Sequence, residues 1–147
     1  KYKIYEGGTR VPFIVSWPAR IKASKSNALV SQVDFIASFA KLLNIDLKKE
    51  QAPDSRDNLA AFLGEDKAGL PFMSEESPGA IALRQGNWKY IEFTKHGWGH
   101  KKGNAKELYD LSKDIGEKNN VITKFPEVAK QLADLLKKIK EDGRIRN

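Results

Sequence analysis

The chain has 147 residues, of which 40% are hydrophobic and 31% are charged, and it contains no cysteine. This composition is typical of a globular domain with a core, and it excludes disulfides, thiolate metal sites and cysteine nucleophiles. The formal net charge is +7, which fits either a solvated basic face or attraction to a polyanion. No apolar run approaches the roughly 18 residues of a membrane-spanning helix, so we expect no membrane span.

The chain begins with a glycine-containing turn that leads into a short apolar run. Adjacent glycines at positions 7 and 8 allow backbone conformations and close approaches that other residues resist. The apolar run after them ends at a Trp-Pro pair, which predicts a buried strand over residues 12–17. Glu6 and Arg10 flank the glycines, and we interpret them as an ion pair that braces the turn, with a direct role in chemistry as the alternative.

Two helices are predicted after a polar loop. Apolar residues recur at helical spacing over residues 31–44, which predicts an amphipathic helix there. Ser31 can accept a hydrogen bond from the first turn of this helix. A second, short helix is predicted over residues 57–64, where polar residues begin it and a glycine ends it.

The composition changes at residues 65–69, and we place a domain boundary there, between residues 1–65 and residues 66–147. Beyond it the pattern favours strands and then one helix. Four short strands are predicted, over residues 71–74, 80–84, 88–94 and 107–111. Pro126 begins a last helix with one apolar side, and Gly143 ends it. The second part is therefore predicted to be a four-stranded antiparallel sheet packed on a long C-terminal helix.

The third predicted strand has a regular alternation of side chains. Because successive residues of a strand point to opposite faces of a sheet, two sets of side chains are expected. One face carries Lys89, Ile91 and Phe93, and the other carries Trp88, Tyr90 and Glu92.

Five segments, taken in order, resemble segments of type I (formylglycine-dependent) sulfatases. They are Tyr5-Glu6-Gly7-Gly8-Thr9-Arg10-Val11-Pro12 with the following Trp-Pro, Ser31-Gln32-Val33-Asp34, residues 54–64, Ala82-Leu83-Arg84-Gln85-Gly86-Asn87-Trp88-Lys89-Tyr90-Ile91, and residues 107–120. Each segment alone is weak, but five in the right order at sensible spacing are a specific signal. The chain is similar to the C-terminal portion of the arylsulfatase and polysaccharide sulfatase family.

The resemblance implies an α+β fold, in which residues 1–65 end an alkaline-phosphatase-like α/β catalytic domain and residues 66–147 form the sulfatase C-terminal subdomain. It implies hydrolysis of sulfate esters by the whole protein, on a sulfated glycan or an aryl sulfate, in the periplasm or outside the cell. It also implies a formylglycine nucleophile and a Ca²⁺ ion in the whole protein. We expect neither in this chain, which alone should be inactive.

Lys1 is the candidate catalytic residue that the resemblance supplies. It stands four residues before Tyr5, at the position of the lysine that contacts the substrate's sulfate in the family. Its ammonium would lie against an ester oxygen that gains negative charge as the S–O bond breaks. The sequence departs from the family at Tyr2, where glycine is frequent.

A loop rich in glycine and lysine contains both histidines of the chain. Their spacing would suit a metal site on a helix, but the glycines between them disfavour a helix, so no metal site is expected. A surface loop is one interpretation. The family favours another, in which the loop binds substrate by stacking on a sugar and pairing with its anions. The candidate substrate-binding residues are Lys95, His96, Trp98 and His100.

Two further segments imitate sites of the family. Ser16-Trp17-Pro18-Ala19-Arg20 matches the Ser-x-Pro-x-Arg pattern of the formylglycine precursor, but the helix start that follows that pattern in the family is missing. Asp57-Asn58 imitates a metal-binding pair, but it stands at a helix start, where capping explains it. We assign neither segment to catalysis.

The alternative to an enzyme is a non-catalytic module that binds a polyanion or a protein partner through the basic sheet-and-helix half. Nucleic acid is not expected, because no aromatic and basic strand motif of the RNA-binding kind is present. An apolar strand at residues 12–17 without neighbouring strands would also favour a homo-oligomer.

Overall fold

The computed structural model describes residues 2–93 and 105–146. Lys1 and the loop candidates lie outside these residues; the loop candidates are Lys95, His96, Trp98 and His100. Within the described ranges, no helix is both long enough and apolar enough to cross a membrane.

The chain divides into two compact units. One comprises Lys1–Pro12 and Phe72–Lys138, and the other comprises Phe13–Pro71 and Ile139–Asn147. Lys1–Pro12, which we call the amino-terminal segment, therefore belongs to the same unit as residues 72–138. The domain boundary at residues 65–69 stays a prediction about the whole protein.

The first unit contains a four-stranded antiparallel sheet, as predicted. Its strands are β1 (Met73–Ser77), β2 (Ala80–Gln85), β3 (Trp88–Phe93) and β4 (Lys106–Asp110), and they neighbour one another in chain order. The hairpin between β2 and β3 turns at Gly86, whose φ of +56° is the left-handed conformation that favours glycine. The meander follows from short alternating segments separated by glycine-containing turns.

The register of the sheet confirms the predicted alternation in β3. Lys89 lies opposite Arg84 and Tyr109 on the neighbouring strands, and Ile91 lies opposite Ala82. A hydrophobic core forms on this face, and Ile4 of the amino-terminal segment packs into it. The other residues of this core are Ala80, Ala82, Ile91, Tyr109 and Leu111. The amino-terminal segment thus packs on the face that carries Lys89.

The last helix, α4 (Pro126–Asp142), confirms the predicted C-terminal helix. Proline suits its first position, where a backbone N–H would have no partner within the helix. Its buried residues are Ala129, Leu132 and Leu136. Trp88 belongs to the other face of the sheet, and its ring centroid lies 5.0 Å from that of Phe125, just before the helix.

The second unit contains the two predicted helices, as a 3-10 turn (Gln32–Asp34) followed by α2 (Phe35–Leu42), and α3 (Leu59–Phe62). Ser31 Oγ accepts a hydrogen bond from the Val33 N–H at 3.3 Å, which confirms the predicted cap. Three hydrogen bonds connect α2 and the 3-10 turn before it to the residues that lead into α3. The Ala37 N–H donates to Ser55 Oγ (2.9 Å). The Arg56 N–H donates to Asp34 Oδ1 (2.8 Å), and the Asn58 N–H donates to Ser38 Oγ (2.9 Å).

The strand expected over residues 12–17 is wrong. These residues have no regular secondary structure, and Ile14 is 87% exposed. The glycine-containing turn before them is instead a short helix, α1 (Glu6–Thr9). A strand needs a neighbour to bond its N–H and C=O groups, and this segment pairs with no strand within the described ranges.

Candidate functional site

The amino-terminal segment is anchored to the sheet by apolar contacts. Ile4 is fully buried in the core of the first unit. The ring of Tyr5 packs next to it, with its centroid 6.2 Å from that of Tyr109 and 6.3 Å from that of Phe93. Ring pairs at these distances add to the stabilisation that burial alone provides.

A buried ion cluster holds Glu6, the residue that follows Tyr5. Lys89 is fully buried, and its Nζ lies 3.0 Å from Glu6 Oε1, 2.8 Å from Glu75 Oε2 and 3.6 Å from Glu117 Oε1. Arg84 Nη1 lies 3.4 Å from Glu6 Oε2. Three carboxylates thus share two cations, and we call these five residues the ion cluster.

Glu117 fixes the same turn through the backbone. Its Oε2 accepts a hydrogen bond from the Glu6 N–H at 2.5 Å. Its own φ is +51°, a conformation that residues with a Cβ rarely adopt. Glu6 is therefore held twice, at its N–H and at its carboxylate, by residues far along the chain.

The surroundings of the ion cluster shift the pKa values of Lys89 and Glu117. Burial alone would lower the pKa of Lys89, but Glu75, Glu117 and Glu6 outweigh burial, and the pKa is raised. Burial raises the pKa of Glu117, although Lys89 and the Glu6 N–H oppose this effect. The lysine is therefore charged at neutral pH, and the carboxylates depend on it for compensation.

A buried carboxylate outside the ion cluster, Glu107, holds the ring of Tyr5. Its Oε2 accepts hydrogen bonds from the hydroxyls of Tyr5 and Tyr109, each at 2.8 Å. Burial, followed by the interaction with Glu107, raises the pKa of both hydroxyls. The tyrosines therefore act as neutral donors to this carboxylate.

The two adjacent glycines have different roles. A Cβ on Gly8 would lie 2.1 Å from the backbone oxygen of Lys3, whereas a Cβ on Gly7 would meet nothing within 4 Å. Only the second glycine is therefore required, because the chain from Lys3 passes directly over it.

The predicted ion pair between Glu6 and Arg10 is wrong. The Glu6 carboxylate pairs with Lys89 and Arg84, and the Arg10 N–H donates to the Glu6 carbonyl at 2.9 Å. The true partners lie 78 and 83 residues away along the chain, so local spacing could not identify them. One signal was present: the alternation in β3 puts Lys89 on the face of Ile91, and a lysine on a buried face needs carboxylate partners.

Polar residues after β4 stabilise turns. Asp114 Oδ2 accepts from the N–H groups of Lys118 and Asn119, and Asn120 Oδ1 accepts from those of Leu108 and Ile122. In the second unit, Asp57 Oδ1 accepts from the N–H of residue 59 at 3.0 Å, a local bond at the start of α3. In the part of the chain that the structure describes, no group of three or more His, Asp or Glu side chains is placed to hold a metal ion.

Comparison with known proteins decides the family. The Sulfatase family model matches residues 1–45. An N-acetylgalactosamine-6-O-sulfatase of Bacteroides thetaiotaomicron is 42% identical over 150 residues, which cover 95% of this chain and 29% of that protein. The chain belongs to the sulfatase family. Human arylsulfatase A is 30% identical over 139 residues, which cover 80% of the sulfatase chain and 27% of the human protein.

A solved structure, described in connection with the metabolism of multiple glycosaminoglycans by B. thetaiotaomicron, has the same fold. It matches 96% of the sulfatase chain and 31% of its own length, with a TM-score of 0.87 and 42% identity. This likeness confirms the expected α+β fold of a sulfatase. The chain spans less than a third of the length of these relatives.

Proposed function

We propose that the whole protein hydrolyses sulfate esters of a sulfated carbohydrate. The observation that carries this proposal is the 42% identity, along 95% of the chain, to an N-acetylgalactosamine-6-O-sulfatase. Because the chain spans 29% of that relative, the activity is proposed for the whole protein. The chain would contribute a cation to the active site and a loop to substrate binding.

We assign Lys1 as the cation that contacts the substrate's sulfate. Lys1 stands three residues before Ile4, whose side chain is fully buried. Three residues span about 10 Å at most, so the anchor limits the volume that the ammonium can reach. There it would stabilise the ester oxygen that gains negative charge as the S–O bond breaks.

We assign substrate binding to the segment between β3 and β4. The aromatic ring of Trp98 suits stacking on a sugar, and the neighbouring polar side chains suit pairing with its anionic groups. These side chains are Lys95, His96 and His100. The two strands that flank the segment are firmly held, since Ile91 and Leu108 are fully buried.

The calcium and the formylglycine of the family are proposed for other residues of the whole protein. The described residues do not fit a calcium site, because Ca²⁺ takes about six to eight oxygen ligands and none of their acidic side chains form a suitable group. We also propose a periplasmic or extracellular location for the whole protein, as the family implies.

The test is sulfate release from 6-O-sulfated N-acetylgalactosamine by the whole protein. Lys1→Ala should lower kcat by about 100- to 1000-fold, the loss typical for one stabilising group in an active site. Lys3→Ala is the matched control, because that side chain is exposed two residues further on, and it should change kcat little. Binding of sulfated glycan without any turnover would instead support the non-catalytic module.

A further inference from the structure

We infer that Glu6, Lys89 and Glu117 are positioning residues. They fix the single helical turn α1 (Glu6–Thr9) and thereby aim Lys1 at the substrate's sulfate. This inference rests on the proposed function of Lys1. It concerns residues that touch no substrate and act through the backbone of the amino-terminal segment.

The first argument is that the contacts converge on the turn. Lys89 Nζ lies 3.0 Å from the Glu6 carboxylate and 3.5 Å from Thr9 Oγ1, so it holds both ends of the short helix. Glu117 adds the bond from the Glu6 N–H. A rigid-body shift of the turn would break all three contacts together.

The second argument is burial. The side chain of Lys89 is fully buried, and those of Glu6 and Glu117 are nearly so. Charges separated in such surroundings lose compensation that water cannot replace, so displacement of the turn is costly. The ion cluster therefore favours one position of the Glu6–Thr9 turn over positions displaced from it.

The third argument is that stability alone does not require ions here. Apolar side chains of similar volume often stabilise a protein as well as a buried ion pair does. The ion cluster differs from an apolar contact in defining one distance and direction. The turn so defined begins at Glu6, five residues after Lys1.

The chain offers a matched control. Glu75 lies 2.8 Å from the same Lys89 Nζ, slightly closer than Glu6, but it reaches the lysine from β1 within the sheet. Glu6→Ala and Glu75→Ala each remove one carboxylate from Lys89. Only Glu6→Ala also removes a side-chain contact of the turn, which then keeps its backbone bond to Glu117, so the two variants separate positioning from stability.

The experiment measures kcat, KM and the melting temperature of both variants in the whole protein. Glu6→Ala should lower kcat by about 10- to 100-fold, the loss expected for a displacement of about 1 Å, with little change in KM. Glu75→Ala should lower the melting temperature to a similar extent and leave kcat within about threefold of wild type. Equal losses of kcat that follow the melting temperatures would overturn the inference.

A glycine pair provides a second route if Glu6→Ala fails to fold. Gly8→Ala must displace the backbone of Lys3, and Gly7→Ala meets open space, yet neither removes a charge. Gly8→Ala should lower kcat and Gly7→Ala should not; equal effects would count against positioning. If Lys1→Ala leaves kcat unchanged, the proposed function of Lys1 fails and this inference with it. If Lys1→Ala lowers kcat but Glu6→Ala and Gly8→Ala do not, the inference alone fails.

Discussion

Replacing Lys89 by methionine should strongly destabilise the first unit. The substitution keeps most of the side-chain volume and removes the charge from a fully buried Nζ that lies within 3.6 Å of Glu6, Glu75 and Glu117. Arg84 is then the remaining cation of the ion cluster, 3.4 Å from Glu6. Removing one partner of a buried pair typically costs about 3–5 kcal/mol. We expect a loss of that size at pH 7, measured by urea denaturation of the chain followed by circular dichroism.

The loss should depend on pH in a defined direction. Without Lys89, Glu117 loses the cation that opposes the effect of burial, so the pKa of its carboxyl in the folded state rises further above that in the unfolded chain. The folded variant then binds more protons than the unfolded one, and its stability rises as pH falls from 7 through that raised pKa. The difference from wild type should therefore shrink on acidification.

Two controls sharpen this prediction. Lys89→Met combined with Glu117→Gln should recover part of the loss, because one uncompensated carboxylate is removed. Lys113→Met should leave the denaturation midpoint nearly unchanged, since Lys113 is an exposed lysine that pairs with Asp110 at the surface. A loss below about 1 kcal/mol for Lys89→Met, or one independent of pH, would refute the electrostatic reasoning.

Other predictions concern single contacts. Tyr5→Phe should cost about 1.5–3 kcal/mol in thermal denaturation, because the buried carboxylate of Glu107 loses a donor at 2.8 Å; an unchanged melting temperature would contradict this. Gly69→Ala should destabilise more than Gly64→Ala. Both glycines have positive φ, but only at Gly69 would a Cβ meet backbone, 2.3 Å from the Leu29 oxygen; equal losses in urea denaturation would show that φ alone decides.

The secondary structure was largely predictable because its signals are local. Apolar periodicity, the cap at Ser31 and the proline at position 126 lie within the elements that they specify. The strand at residues 12–17 was mispredicted because a strand depends on a neighbour, and an apolar run does not show whether one is available. The family was recognisable from short motifs, whose polar residues prove to hold turns and the amino-terminal segment.

The ion cluster was not predicted because its five members lie on α1, β1, β2, β3 and the segment after β4, far apart along the chain. Glu6 and Glu117 are 111 residues apart, yet the backbone of one donates to the side chain of the other. Local spacing therefore suggested Arg10 as the partner of Glu6. Long-range pairing of this kind depends on the sheet register, which brings Arg84 opposite Lys89.

The most direct measurement is a crystal structure of the whole protein with a sulfated N-acetylgalactosamine bound. We predict that Lys1 Nζ lies about 2.7–3.2 Å from an oxygen of the sulfate, with the Glu6–Thr9 turn seated on Lys89. A Lys1 ammonium that points away from the sulfate, with another cation in its place, would contradict the account.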